Sequence, residues 1–150
     1  MRLNRDFQEL LECFARHDVR YLIVGGWALA AHGVPRLTQD LNVWIWPESG
    51  NALRVVAALD EFGFGDLGLA ADDFVANDTV IQLGYPPNRV DLLTTPTGVD
   101  FEPCWAERLD IDLGGVRVPF IGLEGLRANK RATGRPQDLV DIQSLERMDD

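Results

Sequence analysis

The apolar run Tyr21-Leu22-Ile23-Val24 is cut off by Gly25-Gly26, and helix-forming residues resume at once in Trp27-Ala28-Leu29-Ala30-Ala31-His32, up to Gly33. A short buried strand that passes straight into a helix constrains this chain more than any other segment. Beyond a loop holding Pro35, Leu41-Asn42-Val43-Trp44-Ile45-Trp46 is rich in strand formers and supplies the next strand. A strand–helix–strand unit of this kind belongs to a mixed α/β domain.

The remaining segments extend that unit. Asn4 can cap a first helix in which Phe7, Leu10, Leu11 and Phe14 form one apolar stripe. Ser49 is placed to cap another, with Ala52, Val55, Val56, Leu59 and Phe62 on one face and Gly63 as its stop. Residues 63–78, rich in Gly and Asp, read as loop. Residues 80–83 and 89–93 are strands joined across 84–88, and a short helix follows near 102–107. Residues 109–113 and 116–120 flank Gly114-Gly115, a two-residue hairpin signal. Closing helices are expected over 123–132 and 137–148, the second with Pro136 at its start. The expected class is α/β (α+β), a small mixed sheet flanked by helices, with mostly antiparallel additions and no repeat or linker.

The 150 residues fit one domain, 1–150, long enough to bury a core without disulfides or a structural metal. No apolar run approaches the roughly 20 residues that span a bilayer, and the polar start argues against a signal peptide. Cys13 and Cys104 follow no pairing rule, which fits a reducing compartment, so a cytoplasmic location without membrane contact is expected. A net charge of −10 repels a nucleic-acid backbone and argues against extended DNA binding. Basic residues are nonetheless concentrated late in the chain. Arg117, Arg127, Lys130, Arg131 and Arg135 stand against Glu124 alone, and Lys130 is the chain's one lysine. A solvated helix end and an anion-binding patch both fit that run.

Three oxygen-bearing side chains stand out. Asp40 and Asn42, two apart at the head of a strand, project from the same face. Asp91 lies between apolar Val90 and Leu92 in a second strand, and alternation points it away from them. If those strands are neighbours the three converge, and a carboxylate cluster repels itself unless a cation sits in it; oxygen ligands suit Mg²⁺. Singly, each acid is an ordinary strand-end carboxylate. Backbone N–H groups at the Gly25-Gly26 helix start favour phosphate, though such a pair is often only a tight turn. Dinucleotide and P-loop fingerprints are missing. His32 reads as a cap or packing residue, His17 as a favourable charge at a helix end, and Trp44 and Trp46 as core under a helix. Asp138 and Asp141 read as a solvated face.

Taken in order, Val24-Gly25-Gly26-Trp27-Ala28, Arg36-Leu37-Thr38-Gln39-Asp40-Leu41-Asn42 and Val90-Asp91-Leu92-Leu93 resemble the polymerase-β-like nucleotidyltransferase superfamily. The segment Asn129-Lys130-Arg131-Ala132-Thr133-Gly134-Arg135-Pro136-Gln137-Asp138-Leu139 makes it similar to the small AbiEii-type branch of toxins and uncharacterised proteins. The resemblance implies a nucleotidyltransferase fold and transfer of a nucleoside monophosphate from an NTP to an acceptor hydroxyl. It implies Asp40 and Asp91 as catalytic residues, and Asp40, Asn42 and Asp91 as ligands of Mg²⁺, with Mn²⁺ as the alternative. Gly25 and Gly26 would hold the triphosphate, and Arg36 and Thr38 would brace the loop or contact phosphate. Lys130, with Arg131 or Arg135, would neutralise the outer phosphates. The acceptor is a small molecule, a protein or tRNA; a toxin would also have an antitoxin protein as partner. One departure matters: the family pattern has a carboxylate where this chain has Asn42. An amide brings no charge to a site that must hold dications and a triphosphate. A weakened enzyme, a non-catalytic nucleotide- or protein-binding relative and an engineered change are all consistent with that residue.

Overall fold

The computed structural model describes residues 3–36, 40–85 and 88–148. Helix α1 spans Arg5–Arg16, and the Asn4 side chain caps it by accepting a hydrogen bond from the Phe7 amide at 2.9 Å. Its stripe of Phe7, Leu10, Leu11 and Phe14 is buried throughout. Strand β1 (Tyr21–Val24) runs without a gap into α2 (Gly25–Ala31), so that helix begins at Gly25 rather than at Trp27. Strand β2 is Leu41–Ile45 and α3 is Ser49–Phe62. The cap of α3 is Glu48, not Ser49. The Glu48 carboxylate accepts from the amides of Gly50 and Asn51, each at 2.8 Å, and its length lets it satisfy two orphan donors from one residue earlier. Gly63 ends the helix at φ 114°, a conformation that residues with a Cβ rarely adopt.

Residues 63–78 hold more structure than a loop. Short 3₁₀ turns occupy Gly65–Leu67 and Ala71–Phe74, and Phe74 is buried. Strands β3 (Val80–Leu83) and β4 (Val90–Leu93) pair antiparallel, and α4 (Phe101–Ala106) follows. Strands β5 (Leu109–Leu113) and β6 (Val116–Phe120) form the expected hairpin, with positive φ at both Gly114 and Gly115. Helices α5 (Leu123–Thr133) and α6 (Pro136–Met148) close the described chain.

The sheet order is β3-β4-β2-β1-β6-β5. Antiparallel pairs β3–β4, β1–β2 and β5–β6 are joined through parallel pairings of β2 with β4 and of β1 with β6. Because β2 returns antiparallel to β1, the end of β1 lies beside the start of β2, and the start of β4 lies beside the start of β2 on its other edge. Helix α1 packs on one face, where the Phe14 and Tyr21 rings are 5.2 Å apart. On the other, Phe101 of α4 meets Trp44 edge-on and stacks on Trp46, so both indoles are packing residues. Trp44 also donates its indole N–H to the Thr94 carbonyl at 3.0 Å. The fully buried Asn51 amide ties α3 to the strands: it accepts from the Arg20 amide and donates to the carbonyls of Arg20 and Trp46. Among the described residues, no helix is long and apolar enough to cross a membrane.

Candidate active site

The meeting of β1, β2 and β4 builds the site. Asn42 pairs with Val24 of β1 on one side and with Asp91 of β4 on the other, so these side chains share one face. Asp40 lies two residues before Asn42, just ahead of β2. Gly25 follows Val24 at φ +71°, and a Cβ there would fall 2.3 Å from Asn42 Nδ2. Only glycine allows the Asn42 amide to lie so close to the start of α2.

Between Asp40 and Asp91 sits a residue that the sequence reading did not single out. Arg89 donates from Nη2 to Asp40 Oδ2 at 2.7 Å, and its Nε lies 3.3 Å from Asp91 Oδ1. All three side chains are largely withdrawn from solvent. The contact to Asp91 is an ion contact without aligned geometry, since Asp91 Oδ1 and Arg89 Nε are both buried and neither makes a hydrogen bond. Burial pushes the Asp91 carboxyl above its ordinary range; Arg89 opposes that rise and Asp40 adds to it. The donors are hard oxygens and one of them is buried without a hydrogen-bond donor, which suits a hard divalent cation. Among the described residues no three acidic, His or Cys side chains gather as a metal site. Such an ion would therefore rest on two carboxylates and the Asn42 amide.

Beside this cluster opens a cleft of about 790 Å³. Val24, Gly25 and Asn42 form one wall, Asp78–Val80 with Leu93 and Thr95–Thr97 a second, and Asn129, Lys130, Thr133, Arg135 and Asp138 a third. The third wall is an ion cluster. Asp138 accepts from Arg135 Nε at 2.8 Å, from the Arg135 amide at 3.1 Å and from Thr133 Oγ at 2.7 Å, with Lys130 Nζ at 3.4 Å. Asp141 meets Lys130 Nζ at 2.9 Å, Gln137 Nε2 at 3.0 Å and the Arg36 guanidinium. Both carboxylates are about 1% exposed, so the solvated face expected for them is instead a buried one. The Arg135 hydrogen bond holds the Asp138 carboxyl far below its usual range. For Asp141 burial opposes ionisation, yet Lys130, Gln137 and Arg36 together keep it low.

The structure thus brings Gly25, Asn42, Lys130 and Arg135 to the cleft; Asp40 and Asp91 are not in its lining, Asp91 lying beside Asn42 on the neighbouring strand. It puts Arg36 on Asp141. Arg131 lies outside the cleft lining, more than half exposed, 4.0 Å from Glu146, and Gly26 is not part of the lining either. Thr38 lies outside the described residues. The basic run is divided: Arg117, Arg131 and Arg135 are exposed, whereas Lys130 is buried and Arg127, also buried, pairs with Glu124. His32 packs as expected, its Nε2 2.8 Å from the Ile121 carbonyl oxygen.

No family model and no curated protein matches the sequence. Solved structures do match. A Thermotoga maritima protein provisionally assigned as a nucleotidyltransferase superimposes with a TM-score of 0.61 at 13% identity, over 95% of this chain and 91% of its own. The lincosamide antibiotic adenylyltransferase LnuA, bound to lincomycin, gives 0.57 at 12% identity over 98% of both chains. An antigenic nucleotidyltransferase-like protein from Paracoccidioides brasiliensis gives 0.57 at 15% identity, over 99% of this chain and 78% of its own. At these identities the likeness is one of architecture: the chain has the nucleotidyltransferase fold.

Proposed function

We propose that this chain is a Mg²⁺-dependent nucleotidyltransferase that binds an NTP in the cleft and transfers its nucleoside monophosphate to an acceptor hydroxyl. The observation that carries this reading is the union, at one strand junction, of the Asp40–Asp91 carboxylates, the Gly25 approach and a cleft walled by Lys130 and Arg135. The triphosphate would lie along Gly25-Gly26. Three cations, Arg36, Lys130 and Arg135, meet only two carboxylates in the third wall, and that surplus of positive charge favours the outer phosphates. Asp40, Asp91 and the Asn42 amide would hold the divalent ion, which supplies charge stabilisation at the phosphoryl oxygens. Asp91 would bind the metal that activates the acceptor hydroxyl, or take its proton.

A small hydroxylated molecule is the favoured acceptor. The second wall offers Thr79, Thr95 and Thr97 beside Val80, Leu93 and Pro96, and the chain's charge of −10 works against RNA. A cytoplasmic toxin restrained by an antitoxin protein uses the same chemistry on a protein or tRNA. Asn42 favours one further reading, a member of the fold that binds NTP without turnover.

Incubation with each labelled NTP, Mg²⁺ and fractionated cell extract separates these. Label moving to a small molecule supports the main reading, and label on protein or tRNA supports the toxin. Metal-dependent binding without transfer supports the non-catalytic member. No binding of any NTP would end all three.

A further inference from the structure

Arg89 is the least expected part of the site. A guanidinium, charged at every physiological pH, already sits between the two carboxylates that the proposed function gives to the metal. Its place follows from the strand: Arg89 and Asp91 are two apart and project from one face. The backbone reinforces it, since the Leu41 amide donates to the Arg89 carbonyl at 3.0 Å and locks this end of β4 beside Asp40. At the third ligand position Asn42 contributes no charge.

We infer that the acidic pair is a one-cation site in which Arg89 supplies the second positive charge and competes with the metal for the carboxylates. The inference rests on the proposed nucleotide-binding role. Two dications would place four positive charges, plus the guanidinium, against two carboxylates and a neutral amide. A single dication beside Arg89 leaves a modest positive excess that an incoming triphosphate would neutralise. Without nucleotide the guanidinium and the dication repel across a few ångströms, so metal alone binds weakly. With nucleotide, the phosphates offer Arg89 and the metal a shared set of acceptor oxygens. Asp91 Oδ1, buried with no hydrogen bond while Arg89 Nε lies only 3.3 Å away, is the oxygen left over for the ion.

Mn²⁺ serves as the probe, read by the electron paramagnetic resonance of the free ion, with the full chain and a non-hydrolysable ATP analogue. The wild type should bind one Mn²⁺ per chain with the analogue, beyond that carried by free analogue, and little without it. Arg89→Gln, which keeps length and hydrogen bonding but loses the charge, should tighten nucleotide-free Mn²⁺ binding by at least about tenfold, the factor expected for removing one partly screened like charge. Arg89→Lys should keep metal-alone binding weak. Two Mn²⁺ per wild-type chain, or equal nucleotide-free affinity in wild type and Arg89→Gln, would overturn the inference while leaving the proposed function standing. No Mn²⁺ on any form, with or without analogue, would overturn both. The wild-type stoichiometry decides the one-cation claim even if Arg89→Gln folds poorly.

Discussion

Two ion clusters belong to the candidate site, and they are built to opposite rules. In the first, two carboxylates share one guanidinium, and Asp91 keeps a raised proton affinity because burial outweighs the help from Arg89. In the second, two carboxylates collect Arg36, Lys130, Arg135, Thr133 and Gln137, and both are held ionised. Among the described residues the first pair has Arg89 as its shared cation, whereas the second draws in several donors and fastens α5 to α6. A sequence shows aspartates in both places. The partners around each, not the acids themselves, separate the two.

The largest effect should come from the second cluster. Asp138→Asn leaves the buried Lys130 with one carboxylate fewer and takes the carboxylate from the exposed Arg135, and a loss of about 3 kcal/mol is expected in urea unfolding, the range for breaking a buried ion pair. A loss below about 1 kcal/mol would mean that the cluster is no better than a surface pair, and the contrast would fail. The same rule bears on Lys130: Lys130→Ala should lower the melting temperature as well as NTP binding, since its ammonium is engaged with Asp138 and Asp141.

Next comes Asn42→Asp, which acts on the other cluster. A third carboxylate should lower the Mg²⁺ concentration needed for NTP binding by about tenfold, as a charged oxygen replaces a neutral one. The metal-free protein should become less stable through like-charge repulsion. Mg²⁺ titration of bound nucleotide with melting curves checks both, and unchanged metal dependence would remove residue 42 from the site.

The clusters should also answer acid with opposite signs. Asp138 and Asp141 have depressed folded-state values, so their contribution is complete above the ordinary carboxylate value of 3.8 and is lost as pH falls below it. Asp91 has a raised value, so its ionisation opposes folding, and that penalty is relieved as pH falls through its folded value towards 3.8. In Asp91→Asn the relief should vanish while the steep acid loss remains. An unaltered stability–pH curve in that variant would erase the distinction.

The smallest effect is expected at Arg131. It is exposed, outside the cleft lining and 4.0 Å from Glu146, so Arg131→Ala should change stability by no more than about 0.5 kcal/mol and leave NTP binding unchanged. Weakened binding would extend the cleft past its third wall.

What the sequence disclosed follows the reach of each signal. Stripes such as Phe7-Leu10-Leu11-Phe14 and the Gly114-Gly115 turn are local, and the elements they mark lie where periodicity and turn chemistry put them. Asp40, Asn42 and Asp91 were visible because strand alternation is equally local. Arg89 was not: its meaning depends on β2 and β4 lying parallel, which only the sheet order decides. The burial of Asp138 and Asp141 was hidden for a related reason. Their helix has exposed Leu139 and Val140 between them, so its apolar pattern does not reveal which side faces α5. The lone lysine among arginines was the available clue, since a single ammonium eight residues before Asp138 must go somewhere.

The parallel pairing of Ile23 with Phe120 has a temporal consequence. Strands β1, β2 and β4, with their carboxylates, lie within residues 21–93, whereas the opposite wall comes from α5 and α6. Contacts between distant parts of a chain form late, because the intervening loop must first be closed. During synthesis the strands that carry the acidic pair can therefore assemble before Lys130 and Arg135 exist. For that interval the nascent chain already carries Asp40 and Asp91 together with Arg89, the guanidinium that lies between them in the folded protein.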